Sequence, residues 1–300
     1  MTRAKRSGRV LSVGRLYCDL IFTELPKMPT LGEEVFAGGL SIKPGGGAFI
    51  TAAYVAALGR PVSLASALPS GPFASALMAD LEASGVDLSA SEETPANLDP
   101  QITVAMASGL ERAFLTRRAG PAVPGAFDAA VASGAFAHLH IGELATLVEA
   151  PDLIEKARLA GLSISLDCSW DDAVLARDDL AGLISAVDIF LPNETEAERL
   201  GILKAATPPA PLTIVKRGPD GSIAITAEET VSAPTKPVDV IDSTGAGDAF
   251  NAGFIDAWLA KLPLKQCLEA GNRCGAEAVM RVGGASDLPD LSALAQEAEA

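Results

Sequence analysis

The chain has 300 residues, 49% of them hydrophobic, which is ample for a large core and argues against a disordered polypeptide. Its formal net charge of −15 opposes binding to nucleic acid or an anionic membrane, because a phosphate-tracking surface needs clustered Lys and Arg. Local phosphate binding stays open, since backbone N–H groups, helix N-termini and metal ions do not register in a charge count.

In chain order, MTRAKRSGRVLSVG (1–14) has a basic start, but the apolar run behind it is far too short for a signal peptide. RVLSVG (9–14) reads as a short strand closed by glycine. Similar runs recur at PVSLASAL (61–68), FAHLHIG (136–142), LSISLD (162–167), VDIFLP (187–192) and LTIVKRG (212–218). Segments with helical spacing, such as FASALMADLEASG (73–85) and PDLIEKARLAG (151–161), lie between most of them. This alternation predicts an α/β fold with a mainly parallel sheet covered on both faces and ligands at the carboxyl ends of its strands.

Two regions break the rhythm. LYCDLIFTELP (16–26) with EVFAGGLSI (34–42), and QITVAMASGLERAFLTRR (101–118), alternate and carry turn signals such as ASGLER. They read as hairpins forming a small β lid near 15–43 and 100–118, with edge strands of the main sheet as the alternative. The Pro-rich AATPPAPL (205–212) is too short to separate domains, so residues 1–300 read as one domain. The longest apolar stretch, AFITAAYVAALG (48–59), is well below the roughly 20 residues of a spanning helix. Cys18, Cys168, Cys267 and Cys274 show no CxxC pair; the last two stand about 10 Å apart along a helix at ~1.5 Å per residue. Free thiols in a soluble, cytoplasmic protein are expected.

The most informative stretch is IDSTGAGDAFNAGFIDAWLAKL (241–262). Phe250, Phe254, Ile255, Trp258 and Leu259 recur at helical spacing, so a helix begins near Gly245 to Gly247. The glycines let successive N–H groups approach a ligand and form an anion nest at the helix N-terminus. A dinucleotide loop is a poor reading, because Asp248 directly after the nest would repel a pyrophosphate, and no Lys-Ser/Thr completes a Walker A pattern. A bare cap needs only Ser243 or Thr244 and leaves Asp242, the paired glycines and Asp248 unexplained. A carboxylate beside an anion nest suits phosphoryl transfer, where an Asp takes an alcohol's proton while the nest holds the phosphoryl group. The helix N-terminus should favour an ionised Asp248.

DSTGAGDAF resembles the C-terminal signature D-T-x-G-A-G-D-x-F of the ribokinase-like (PfkB) carbohydrate kinases, and the similarity can be followed from residue 9 to about 289. The resemblance implies a three-layer core with a β lid and transfer of the ATP γ-phosphate to a hydroxyl of a sugar or nucleoside. It implies Asp248 as general base and Gly245, Ala246 and Gly247 as anion hole. PNETEAERL resembles the family's N-x-x-E motif, implying that Asn193 and Glu196 organise Mg²⁺ and phosphates; on spacing alone it is an acidic helix start. VKRGPDGS implies nucleotide contacts from Lys216 through Gly218 to Gly221, where a Pro219-Asp220-Gly221 hairpin turn is the bare reading. Asn272 matches a nucleotide-contacting position. Asp19 falls where the family binds substrate hydroxyls, PGGGAF places Gly45, Gly46 and Gly47 against the sugar, and Glu143 aligns with a substrate-side acid.

VMRVGGASDLP resembles the segment closing a monovalent-cation (K⁺) site, implying Asp242 and Thr244 with Ala278, Arg281, Gly283 and Asp287; Asp287 replaces a commoner neutral residue. Ile50 stands where an Asn is frequent, Phe49 precedes it, and Tyr17 replaces a sugar-binding Asn. These changes remove polar partners and make a nucleoside acceptor credible beside a sugar. His138 and His140 share a strand face, but no third metal ligand is evident. Asp167, Asp171 and Asp172 in LDCSWDD either shape the phosphate region or form a solvated loop. A non-catalytic ligand sensor is the reading outside enzymes. A lid-to-lid homodimer and a monomer are both open.

Overall fold

The structure is a computed structural model that describes residues 7–95, 101–108 and 111–297. Val10–Val13 is buried along its whole length, as a strand covered on both faces must be. It belongs to an eight-stranded sheet. The spatial order is Thr230–Ala233, Ser222–Ile225, Leu212–Lys216, Ile189–Leu191, Ser163–Asp167, His138–Ile141, Val10–Val13, Val62–Ala65. The six strands from Leu212–Lys216 to Val62–Ala65 are parallel, and Ser222–Ile225 is antiparallel to both its neighbours, Leu212–Lys216 and Thr230–Ala233.

Helices cover both faces. Gly47–Ala57, Ala246–Leu259 and Leu264–Val279 share one side, packing Phe49, Tyr54, Ile255 and Phe254 against the sheet. On the other side Leu147, Leu153, Ile184 and Ala197, each from a short helix, join Leu139, Leu166 and Phe190 of the strands. Val10–Val13 lies between Val62–Ala65 and His138–Ile141, so strand order reverses there and a crevice opens at the carboxyl ends.

The two regions read as a lid form a separate four-stranded sheet, ordered Gly39–Gly45, Tyr17–Thr23, Ile102–Ser108, Glu111–Arg117. The edge-strand alternative therefore does not hold. Tyr17–Thr23 pairs antiparallel with Gly39–Gly45 and parallel with Ile102–Ser108. Its second strand begins at Gly39, leaving Glu34 to Phe36 in a loop. Gly109 and Leu110 of the ASGLER turn lie outside the described residues.

His138 and His140 are fully buried in the central strand; both ring nitrogens of His138 and Nδ1 of His140 bond Ser163 or Ser165 on the neighbouring strand at 2.7–2.9 Å. Burial holds both imidazoles below their ordinary pKa. All four cysteines are buried free thiols. Among the described residues, no helix is long and apolar enough to cross a membrane.

One buried ion pair ties the layers together. Arg60 Nε donates to Asp256 Oδ1 at 2.7 Å and its Nη2 to the Asp256 carbonyl at 2.9 Å, while Nη1 bonds the carbonyls of Ser7 and Gly8. Only 1% and 3% of the two side chains is exposed. This pair links the helix Ala246–Leu259 to the start of the first strand. Arg60→Met takes this guanidinium from the buried Asp256 carboxylate and should cost about 3 kcal/mol in urea unfolding. A loss below about 1 kcal/mol would assign the anchoring elsewhere.

Candidate active site

Three strand ends and one helix head converge at the crevice. Asp167 ends Ser163–Asp167, Lys216 ends Leu212–Lys216, Asn193 follows Ile189–Leu191, and Asn251 lies in the first turns of Ala246–Leu259. Lys216 Nζ donates to Asp167 Oδ1 at 2.8 Å and to Asn251 Oδ1 at 3.1 Å; Asn251 Nδ2 donates to Asp167 Oδ2 at 2.8 Å. Cys168 N donates to Asp167 Oδ1, also at 2.8 Å. Burial works against the Lys216 charge, but Asp167 and Glu196 outweigh it and raise its pKa.

Asp248 lies beside this cluster in the first turn of its helix, whose N-cap Gly245 adopts φ 74°. A Cβ on Gly245 would stand 2.7 Å from Gly284 Cα, so only glycine lets the two loops stack. The helix N-terminus favours an ionised Asp248, and its surroundings oppose that ionisation. Burial, and then the Asp167 charge, push its pKa well above the ordinary carboxylate range against the pull of Lys216. The helix dipole is outweighed because three acidic side chains, Asp167, Glu196 and Asp248, share one ammonium.

These groups border a cleft of about 1180 Å³. At one end Tyr17, Asp19, Thr103 and Thr116 of the four-stranded sheet, with Arg118 just past its last strand, face Gly46, Gly47, Glu143, Trp170 and Asp171. Arg118 Nη1 donates to Asp171 Oδ2 at 2.5 Å, Nε reaches Tyr17 Oη at 3.4 Å, and Nη2 lies 3.9 Å from Glu143 Oε2. Burial raises the Asp19 pKa to about 7, with a hydrogen bond from Thr103 opposing it. The Glu143 carboxyl is also raised by burial, against Arg118, Thr146 and Arg15. Gly47 is pressed between the Gly142 carbonyl and Asp248; an added Cβ would come 2.5 Å and 2.9 Å from their oxygens. At the other end Gly218, Pro219, Gly221, Val240, Phe250, Asn272, Ala276 and Val279 line the wall.

Of the residues singled out from the sequence, Gly245 to Asp248, Tyr17, Asp19, Gly46, Gly47, Glu143, Asn193, Glu196, Lys216, Gly218, Gly221 and Asn272 meet in this cleft. Asn193 and Glu196 are also a capping box, each side chain bonding the other's backbone N–H at 2.9 and 2.8 Å, so both readings of that stretch apply. Asn272 spends its amide on the Ala233 and Pro234 carbonyls.

Two substrate assignments are corrected. Ile50 and Phe49 are buried below the cleft, because the helix Gly47–Ala57 starts at Gly47 and turns them into the core; Ile50 packs against Gly245 and Gly284. Gly45 lies beneath Asp19, whose carboxylate occupies the space a Cβ would take, 1.9 Å from Oδ2.

Asp242, Thr244 and Gly283 gather behind the nest, outside the cleft wall, while Asp287 is exposed with φ 50°. Burial opposes the Asp242 charge, but backbone N–H groups of Gly283 and Thr244 hold its carboxyl below the usual range. Sequence reasoning missed Asn251 and Arg118. Asn251 stands three positions after Asp248, hence on the same helix face, which is the signal that could have found it.

The family model described as pfkB family carbohydrate kinase matches residues 7–291. An ATP-dependent 6-phosphofructokinase of Thermoanaerobacterium thermosaccharolyticum is 35% identical over 133 residues, 42% of this chain and 41% of that protein. The chain spans about half the length of the curated relatives it matches. A Methanocaldococcus jannaschii nucleoside kinase structure superposes with a TM-score of 0.80 at 20% identity, covering 99% of each chain. Arabidopsis thaliana ribokinase, complexed with ribose and ATP, gives 0.79 at 20% identity, covering 97% of this chain and 98% of that one. These superpositions establish a ribokinase-like fold.

Because the Asp19 pKa is raised on folding, its stabilising contribution is complete below about pH 4 and is lost as pH rises through about 7. Asp19→Asn should therefore flatten the fall of unfolding free energy across that window. An unchanged slope in urea titrations at stepped pH would contradict the burial of this carboxyl.

Proposed function

The chain belongs to the pfkB family of carbohydrate kinases, and on that premise we propose that it transfers the γ-phosphoryl group of ATP to a hydroxyl of a small sugar or sugar derivative. The observation carrying this reading is the place of Asp248, in the first turn of a helix between an anion nest and a polar, carboxylate-rich end of the cleft.

The acceptor lies between Asp19, Glu143 and Arg118. Carboxylates accept hydrogen bonds from neighbouring hydroxyls, as a polyol requires. Asp248 takes the hydroxyl proton as the acceptor oxygen bonds to the γ-phosphorus and the bond to the β-phosphate oxygen breaks, releasing ADP. The N–H groups at Gly245 to Gly247 receive the charge developing on the phosphoryl oxygens. Apolar Val240, Phe250, Ala276 and Val279 offer a bay for the adenine at the opposite end. Asn193 and Glu196 line the same cleft, and their oxygens would hold Mg²⁺ through water and ATP phosphates. Mg²⁺ supplies neutralisation of phosphate charge when bound.

A nucleoside acceptor is the second reading, favoured by Tyr17 and the half-exposed Trp170 at the acceptor end. Exposed Leu40, Phe114 and Leu115 on the four-stranded sheet support a homodimer through that lid.

ADP release measured with Mg-ATP and a panel of hexoses, pentoses, sugar acids and nucleosides tests the proposal. At least one acceptor should support turnover, and Asp248→Asn should lower it ~10³-fold, within the range for loss of a general base. ATP affinity should stay within about threefold, since the base binds no part of the nucleotide. Turnover near the parent level in Asp248→Asn, or no ADP release with any acceptor, would contradict the assignment.

A further inference from the structure

Behind the anion nest, Asp242 meets an arginine from the other sheet. Arg112, in Glu111–Arg117, places Nη1 2.6 Å from Asp242 Oδ1 and 3.4 Å from Thr244 Oγ1. The Asp242 side chain is almost fully buried and that of Arg112 largely so, at 5% and 20% exposure. The carboxylate is otherwise held by N–H donors: Thr244 N reaches Oδ1 at 2.8 Å and Gly283 N reaches Oδ2 at 2.9 Å.

A monovalent cation does not fit this arrangement. Such an ion needs free carbonyl and carboxylate oxygens around a gap. Here Arg112 Nη1 stands against Asp242 Oδ1 and Thr244 Oγ1, so the side-chain oxygens that would hold the ion already face a cation. Arg281 turns to Glu277, and Asp287 is exposed. A second positive charge beside the guanidinium would also be repelled.

We propose that Arg112 supplies in cis the positive charge that a bound monovalent cation would otherwise bring to the loop under the anion nest. Asp242 then draws together the 242–244 and 283–284 backbones, on which Gly245 stacks, without an ion. Arg112 is a positioning residue, since it touches neither the cleft nor the reacting atoms. The same bond fastens the four-stranded sheet, which carries Asp19 and Tyr17, to the nest on the core.

The test compares parent and Arg112→Ala proteins in KCl and in tetramethylammonium chloride of equal ionic strength, reading ADP release and melting temperature. The turnover reading rests on the kinase proposal; melting does not, so absence of turnover with every acceptor leaves this inference decidable by melting alone. The parent should show the same turnover and melting temperature in both salts. Arg112→Ala should lose roughly tenfold in turnover in tetramethylammonium, the scale of one charge-assisted hydrogen bond. K⁺ or dilute guanidinium should restore that turnover, and K⁺ should raise the variant's melting temperature by binding the folded form. A parent whose turnover or melting temperature rises with K⁺ overturns the proposal. So does a variant with parental turnover in tetramethylammonium, or one that neither ion rescues in turnover or melting.

Discussion

A buried ammonium shared by an aspartate and an asparagine fixes the active end of this molecule. Lys216 holds Asp167 and Asn251 together, joining the ends of two parallel strands to the head of the helix Ala246–Leu259. Asn193 and Glu196 stand at the helix head that follows the strand between, and Lys216 N donates to the Pro192 carbonyl at 3.0 Å. The clamp also sets the proton inventory. One cation among three carboxyl groups leaves excess negative charge in a poorly solvated space, which raises the pKa of Asp248.

Around this clamp, close backbone approach does the rest. Gly142 allows the start of Gly47–Ala57 to sit directly on the strand end, where a Cβ would be 2.3 Å from Ala48 N. Gly47 gives way to Asp248, and Gly245 stacks on Gly284 over Ile50. Two helix heads thus point into one crevice at the reversal of strand order, with N–H groups facing any bound anion. The second sheet brings Asp19 and Arg118 over the same crevice from the opposite side, completing a polar pocket that neither sheet forms alone.

Much of this was legible in the sequence. Strand runs separated by helical segments were enough to anticipate the parallel sheet, because strands buried on both faces are continuously apolar. The nest and Asp248 were legible because they occupy consecutive positions. What escaped depends on contacts across the chain. Arg112 meets Asp242 130 positions away, and Arg118 meets Asp171 across 53, neither marked by any local pattern. Ile50 was misplaced because a substitution in a substrate-binding segment was read as facing substrate, while the helix register turns it into the core. The charge that opposes ionisation of Asp248 escaped for the same reason. A helix dipole is local and visible in sequence, whereas Asp167 joins the site only through the fold.

The most direct test is the pH dependence of kcat/KM for the acceptor in the parent and in Asp167→Asn. If Asp248 is the base and the Asp167 charge helps to hold its proton, turnover in the parent rises with pH through an ionisation well above the ordinary carboxylate range. Replacing Asp167 by the neutral amide moves that limb to lower pH. A limb that stays in place, or moves to higher pH, would contradict the coupling on which this account of the site rests.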